Sequence, residues 1–350
     1  MNAEFFSAIE DIEREKGIPR EYMFEKINQA MLAAFRRDNP DAADNVVVEI
    51  DEDKKKIEMY VITDVVETVE NPATEMTEEQ AHKYSKKAKA GMQIRVPVDT
   101  KEFGRIAAQS AKQVIIQGIR EAERGLIYDE FTSHEHEILT GEVSRIDPRT
   151  GSVSMKISSN SEYTDALLSV NEQIRDEVLT EGKRIKVYVI EVRKSTRGPQ
   201  VLISRTHPGL VKRLFELEVP EIADGTVEIM SVAREAGSRT KMAVWSTAPD
   251  VDPIGACVGP KGGRVASIVD ELDGEKIDIV RYSEIPEEYI AAALSPADVI
   301  SVTMDEEGKS CRVIVPDNQL SLAIGKEGQN ARLAAKLTGF KIDIKPENEG

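Results

Sequence analysis

The feature that most constrains this chain is a glycine pair that occurs twice in the same surroundings, as Gly259-Pro260-Lys261-Gly262 and, 66 residues later, as Gly325-Lys326-Glu327-Gly328. Each pair ends a short apolar segment and opens an amphipathic one. Each copy then closes on the same tetrapeptide, Lys276-Ile277-Asp278-Ile279 and Lys341-Ile342-Asp343-Ile344. A single pair of this spacing is a frequent accident. Two of them, each inside the same order of helix, loop, helix and strand, mark a repeated structural unit.

The local physics of each copy is readable. Asp252 can cap a helix whose first position is Pro253, and Ile254, Cys257 and Val258 supply its apolar side. The second copy places Asn318, Leu320, Ala323 and Ile324 there. After the loop, Val265, Ile268, Val269 and Leu272 fall at i, i+3, i+4 and i+7, one face of a helix. The second copy offers Ala331, Ala334 and Ala335, with Leu333 and Leu337 widening the stripe. Glycines at both loop ends remove the Cβ atoms that would hold a sugar-phosphate chain away, and the next helix start presents unpaired N–H groups and a positive dipole end. Lys261 and Lys326 add a full charge. This is the sequence form of the KH module, whose loop clamps the backbone of about four nucleotides of a single strand. The competing reading is a pair of helix C-cap glycines between packed helices.

Composition bears on that reading because the chain is acidic, with 46 Lys and Arg against 63 Asp and Glu and a net charge of −17. The charge is uneven: residues 131–209 are balanced and both flanks are acidic. Between Lys183 and Arg205 stand Lys183, Arg184, Lys186, Arg193, Lys194, Arg197 and Arg205, with Glu191 as the one acid. Screening over about 8 Å lets such a strip act locally on RNA despite the total charge; a solvated strand face is the alternative. Aromatic residues make up 5% of the chain, so base stacking cannot be the main binding mode throughout. Cys257 and Cys311 have no partner at metal or redox spacing and read as small core residues. Without an 18-residue apolar run or signal peptide, a cytoplasmic protein is expected, with no membrane partner.

The chain divides into four expected units, which define a multidomain α+β fold. Residues 1–130 form a mixed N-terminal domain: two helices around Gly17-Ile18-Pro19, strands at 46–50 and 57–62, a short helix near 77–88, a strand at 93–98 and a long helix over 102–124, with the stretch around Gly125 as a connection. Residues 135–207 give five short strands, at 138–146, 152–157, 166–168, 184–192 and 200–204, which suit a closed OB-type barrel. Residues 208–283 and 284–347 are two tandem KH domains.

Four longer runs carry a more specific signal. They are Phe103-Gly104-Arg105-Ile106-Ala107-Ala108-Gln109 with Lys112-Gln113-Val114, Leu202-Ile203-Ser204-Arg205-Thr206-His207-Pro208-Gly209, Asp252-Pro253-Ile254-Gly255, and Gly325-Lys326-Glu327-Gly328-Gln329-Asn330. Through these runs the chain resembles, across its whole length, the NusA family of bacterial transcription termination and antitermination factors. The resemblance implies an N-terminal domain that docks on RNA polymerase near the RNA exit channel, a barrel of the ribosomal S-one type, and two prokaryotic-type KH domains. It is to the short form, without acidic C-terminal repeats. It further implies nascent RNA and other elongation or antitermination factors as partners, a monomer, no cofactor and no metal. Candidate RNA-binding residues are Gly259, Pro260, Lys261, Gly262, Arg264, Gly325, Lys326, Glu327, Gly328, Arg193 and Lys194. Arg105 and Lys112, seven apart on one helix face, are implied to form a basic patch toward emerging RNA.

Enzyme readings find little support. The segment from Gly255 to Gly262 lacks the Gly-Lys-Ser/Thr ending of a phosphate-binding P-loop. His134 and His136 have no third ligand or base placed beside them, and His82 and His207 are isolated. The RNA-binding part of an exoribonuclease also joins KH and barrel units, but usually with KH before barrel and with a catalytic core. A ribosome-associated factor would differ in what the first 130 residues bind.

Overall fold

A computed structural model describes residues 3–38, 45–98, 100–160, 162–195, 198–305 and 308–349. The chain separates into two compact units, Met1–Leu126 and Ile127–Gly350.

In the first unit, Gly17, with φ +66°, and Pro19 separate α1 (Ala3–Lys16) from α2 (Arg20–Asp38). A four-stranded sheet follows. Its long strand β2 (Lys56–Val66) pairs antiparallel with β1 (Val46–Asp51), parallel with β3 (Glu75–Thr77) and antiparallel with β4 (Gln93–Pro97). Phe6 and Ile9 of α1 meet Met23, Phe24 and Ile27 of α2 over Val46, Val48 and Met59 of the sheet. β3 has no alternating pattern, so nothing in its sequence marks it as a strand. The helix expected near 77–88 is one turn, α3 (Glu78–Ala81), closed by a capping box between Thr77 and Gln80. It stops because, between Ala81 and Ala88, the only large apolar residue is Tyr84, which is exposed.

The long helix α4 spans Thr100–Thr132, so it runs past the end expected at residue 124, while the boundary between the two compact units falls beside Gly125 as expected. A mid-helix glycine costs about 1 kcal/mol relative to alanine, but Ile127, Tyr128 and the fully buried Phe131 continue the apolar face beyond it and pack on the barrel core.

That barrel closes in the order β5-β6-β7-β9-β8, from β5 (Ile138–Ile146), β6 (Val153–Ser159), β7 (Glu162–Leu168), β8 (Arg184–Arg193) and β9 (Gln200–Ser204). Alternate residues point inward, with Val153, Met155 and Ile157 against Val187, Val189, Val201 and Ile203. β6 and β7 turn at Asn160, which takes φ +43° without a glycine.

Two copies of one module follow. The first comprises α5 (Pro208–Glu218), α6 (Pro220–Ala223), β10 (Val227–Glu235), β11 (Arg239–Ser246), α7 (Pro253–Val258), α8 (Gly263–Glu271) and β12 (Lys276–Arg281). The second comprises α9 (Pro286–Ala293), β13 (Ser301–Met304), β14 (Ser310–Val315), α10 (Leu320–Ile324), α11 (Gln329–Thr338) and β15 (Lys341–Pro346). In each, the middle strand pairs antiparallel with its predecessor and parallel with the strand carrying the repeated tetrapeptide.

Buried charge fixes the joints. Arg205, a member of the cationic strip in the sequence, is fully buried between barrel and first module. Its guanidinium donates to the Glu177 carboxylate at 2.6 and 3.2 Å, to Glu271 Oε1 at 3.1 Å, and to the Lys186 and Glu271 carbonyls at 2.8 Å. All five of its N–H bonds are used, which is what makes a buried guanidinium tolerable. Beside it the Tyr188 and His207 rings stack at 4.5 Å. His207 caps α5 by accepting the Gly209 N–H at Nδ1, and burial lowers its pKa, with His136 and Arg234 acting the same way against Glu172. The two modules share one core, in which Ala233, Ala243 and Val280 of the first sheet lie under Tyr289, Ile290, Leu333 and Leu337 of the second module. Lys241, with no exposed side-chain surface, donates there to Asp278 and to the Ser295 carbonyl.

Candidate nucleic-acid interface

Asp252 accepts the Ile254 and Gly255 N–H groups, so α7 begins as its sequence dictates. The second copy differs: Asn318 lies inside a 3-10 turn, and α10 has Gln319 at its N-cap with no side-chain cap. A proline at the first position makes the difference, since Pro253 has φ preset for a helix and Gln319-Leu320 does not. The buried stripe of α11 also departs from expectation. Asn330, Leu333, Ala334 and Leu337 are buried, while Ala331 and Ala335 are half-buried at its margins.

The loops themselves are near copies. Gly259 and Gly325 take φ, ψ of 71°, 175° and 76°, 170°; Lys261 and Glu327 both take 54°, 25°; Gly262 and Gly328 take 75°, 12° and 74°, 14°. The first glycine caps the preceding helix, its N–H donating to the Gly255 or Ser321 carbonyl at 2.9 Å. A Cβ on Gly259 would stand 2.6 Å from Arg264 Cγ, and one on Gly325 would stand 2.8 Å from the Asn330 backbone nitrogen. The first glycine of each loop is therefore demanded by the protein's own packing. The second is not: a Cβ on Gly262 meets nothing within 4 Å, and on Gly328 only the tip of Arg332 at 3.9 Å. Packing and a positive φ account for the glycine at one end of the loop, whereas at the other the left-handed φ alone favours glycine and the space beside it is open.

The sequence-selected residues fall into three groups. Pro260, Lys261, Lys326 and Glu327 lie on the exposed loops with Gly262 and Gly328 beside them. Arg264 is turned inward, its Nη1 donating to the Ala256 carbonyl at 2.6 Å and to Glu221 at 2.9 Å. At the matching place Asn330 donates to the Leu294 and Ala323 carbonyls. Position five after the first glycine thus ties the two helices of each module together. The strip on the barrel is divided: Arg205 is buried, Lys183 Nζ donates to the Val178 carbonyl, Arg193 pairs with Glu191 at 2.6 Å, and Lys194 Nζ sits 4.5 Å over the Tyr128 ring. Arg197 lies outside the described residues. A one-dimensional count of cations could not see that alternate strand residues point to opposite faces. Lys112 is exposed on α4, and the side chain of Arg105 lies outside the described residues.

Among the described residues no group of three His, Cys, Asp or Glu side chains could hold a metal ion, and no helix is long and apolar enough to cross a membrane. Burial pushes the Cys257 thiol up to about 12 and the Cys311 thiol up to about 11, which leaves both protonated packing groups.

Comparison with known proteins agrees with this architecture. Residues 4–125 match the NusA N-terminal domain, 205–282 the NusA-like first KH domain and 286–350 the NusA-like second KH domain. The chain is 52% identical to the transcription termination/antitermination protein NusA of Halalkalibacterium halodurans, over 100% of this chain and 90% of the relative. It is 52% identical to that of Bacillus subtilis, over 100% and 92%. The NusA of Thermus thermophilus is 42% identical, over 98% and 89%. With two KH modules, a closed barrel and this likeness along its full length, the chain belongs to the NusA family of transcription termination/antitermination proteins.

Proposed function

We propose that this chain is a non-enzymatic, monomeric elongation factor of the cytoplasm. It binds core RNA polymerase near the RNA exit channel through residues 1–130, holds nascent single-stranded RNA along residues 135–207, 208–283 and 284–347, and so changes pausing, termination and antitermination together with other elongation factors. The observation that carries the RNA-binding part is the pair of exposed loops with matching backbones, each with an open second glycine and a lysine next to a helix start. Replacing Pro260-Lys261 and Lys326-Glu327 by Asp-Asp tests it. Filter binding should show a large loss of affinity for single-stranded RNA in a chain that remains folded, because the substituted groups are exposed; unchanged affinity would refute the clamps.

Polymerase binding and the α4 patch are tested together. The full chain should be retained by immobilised core polymerase and should lengthen dwell at a hairpin-stabilised pause in single-round transcription. Arg105→Glu with Lys112→Glu should keep polymerase binding and lose much of the pause effect, because an RNA hairpin is a dense anion that a cationic helix face favours.

A further inference from the structure

The two loops share a backbone but not a charge pattern. Lys261 and Glu327 occupy the same place with the same φ and ψ, so the position where the first module offers an exposed cation carries a carboxylate in the second. The second loop's cation stands one residue earlier, at Lys326, and there it lines a groove of about 380 Å³ between the two modules. Lys276 at the start of β12 and Arg239 at the start of β11 line the same groove from the first module. None of the described residues lining it is acidic, in a chain whose net charge is −17.

The cations differ in availability. Arg239 is held by Asp278 through hydrogen bonds of 2.7 and 3.0 Å, so its charge is largely spent. Lys276 and Lys326 are exposed, and no ion pair claims either among the described residues. The nearby carboxylate of Glu235 is taken by Arg332 at 2.6 Å and by the Gln329 amide at 2.9 Å, and the Arg332 hydrogen bond holds its pKa below the ordinary glutamate value.

We propose that this groove, and not the crest of the second loop, seats an RNA phosphodiester, gripped jointly by Lys276 of the first module and Lys326 of the second. Glu327 at the crest repels the backbone and turns it toward the seam. The second clamp is then a composite of both modules and the first is a clamp in its own right. This inference rests on the RNA-binding function proposed for the chain and specifies where one phosphate of that RNA lies.

The test uses the full chain and a fluorescein-labelled 12-nucleotide oligouridylate, with anisotropy read over a range of salt. Each phosphate neutralised on a single strand contributes about 0.7 to the slope of log K against log salt. Lys276→Gln and Lys326→Gln should each weaken binding three- to five-fold and flatten the slope by about 0.7. The double substitution should flatten it by the same about 0.7, because both lysines serve one phosphate. Lys212→Gln, an exposed lysine on α5, should change affinity less than two-fold, and Lys276→Arg should retain wild-type binding. A double variant that flattens the slope by about 1.4, or a Lys276→Gln that behaves like Lys212→Gln, overturns the shared seat while leaving RNA binding intact. A wild-type chain that fails to bind the oligonucleotide at about 50 mM salt overturns RNA binding itself.

Discussion

The two KH modules are built alike and finished differently. Their loops match within a few degrees, yet their sheets present opposite outer faces. In the first sheet Ala243 and its neighbour across the ladder, Val280, are fully or almost fully buried under the second module. In the second sheet the equivalent rungs are Arg312 beside Asp343 and Ile314 beside Lys345, with Ser301, Thr303, Arg312, Lys341 and Asp343 exposed. An apolar outer face is covered by the next unit, whereas a polar one stays solvated. A backbone can thus be repeated faithfully while the side chains on one face decide whether anything stacks on it.

The largest effect should come from disrupting the covered face. Val280→Asp buries an unpaired charge in the shared core and should cost about 3 kcal/mol. Lys345→Asp, the matching change on the open face, should stay within about 0.5 kcal/mol. Urea denaturation followed by Trp245, the single tryptophan, reads this locally, since its ring packs edge-on against Tyr282 beside the junction.

A smaller loss is expected at the paired aspartates of the repeated tetrapeptide. Burial would raise the Asp278 pKa, but Arg239 and Lys241 outweigh it and hold the carboxyl below its ordinary value. Asp278→Asn should therefore destabilise by about 2 kcal/mol at neutral pH, whereas Asp343, exposed and 3.9 Å from Lys345, should tolerate the same change. Because the folded pKa is depressed, this contribution is complete above pH about 4 and disappears as pH falls through the lower folded value. The stability gap between wild type and Asp278→Asn should be full at neutral pH and should narrow as pH falls below about 4.

The loops probe the likeness of the modules from the other side. Gly259→Ala and Gly325→Ala should cost about the same, near 2 kcal/mol each, from a positive φ and a close contact. Gly262→Ala and Gly328→Ala should cost about 1 kcal/mol, from φ alone, and weaken RNA binding more than stability. The smallest effects should be at the crests. Lys261→Gln should lower RNA affinity about three-fold, from loss of one phosphate contact, and Glu327→Gln should change it less than two-fold. Equal and opposite responses would mean that the strand crosses both crests in the same way.

Local sequence carried much of this architecture for identifiable reasons. The Asp252-Pro253 start of α7, the strand alternation of the barrel and the Gly17-Ile18-Pro19 break are set by residues within a few positions of each other, so they are legible without the fold. Elsewhere distant partners decide the outcome, and the local pattern misleads. Helix α4 runs through Gly125 because Phe131 finds the barrel core. Arg205 is a structural ion and not part of a binding strip because Glu177 and Glu271, far away in the chain, surround it. Arg264, chosen from the sequence for its charge and position, gains partners that only the fold supplies, Glu221 and the Ala256 carbonyl.

The duplicated module, its loop and the order of the units were written in the chain itself, because glycine placement, helix caps and apolar period act through neighbouring residues. Which cations remain available, which glycine serves packing and which is open, and which sheet face is covered were settled by the folded arrangement alone. Those properties depend on burial and on partners brought from elsewhere in the chain. A charge in a sequence has a sign, but its availability is set by what the fold places within about 4 Å of it.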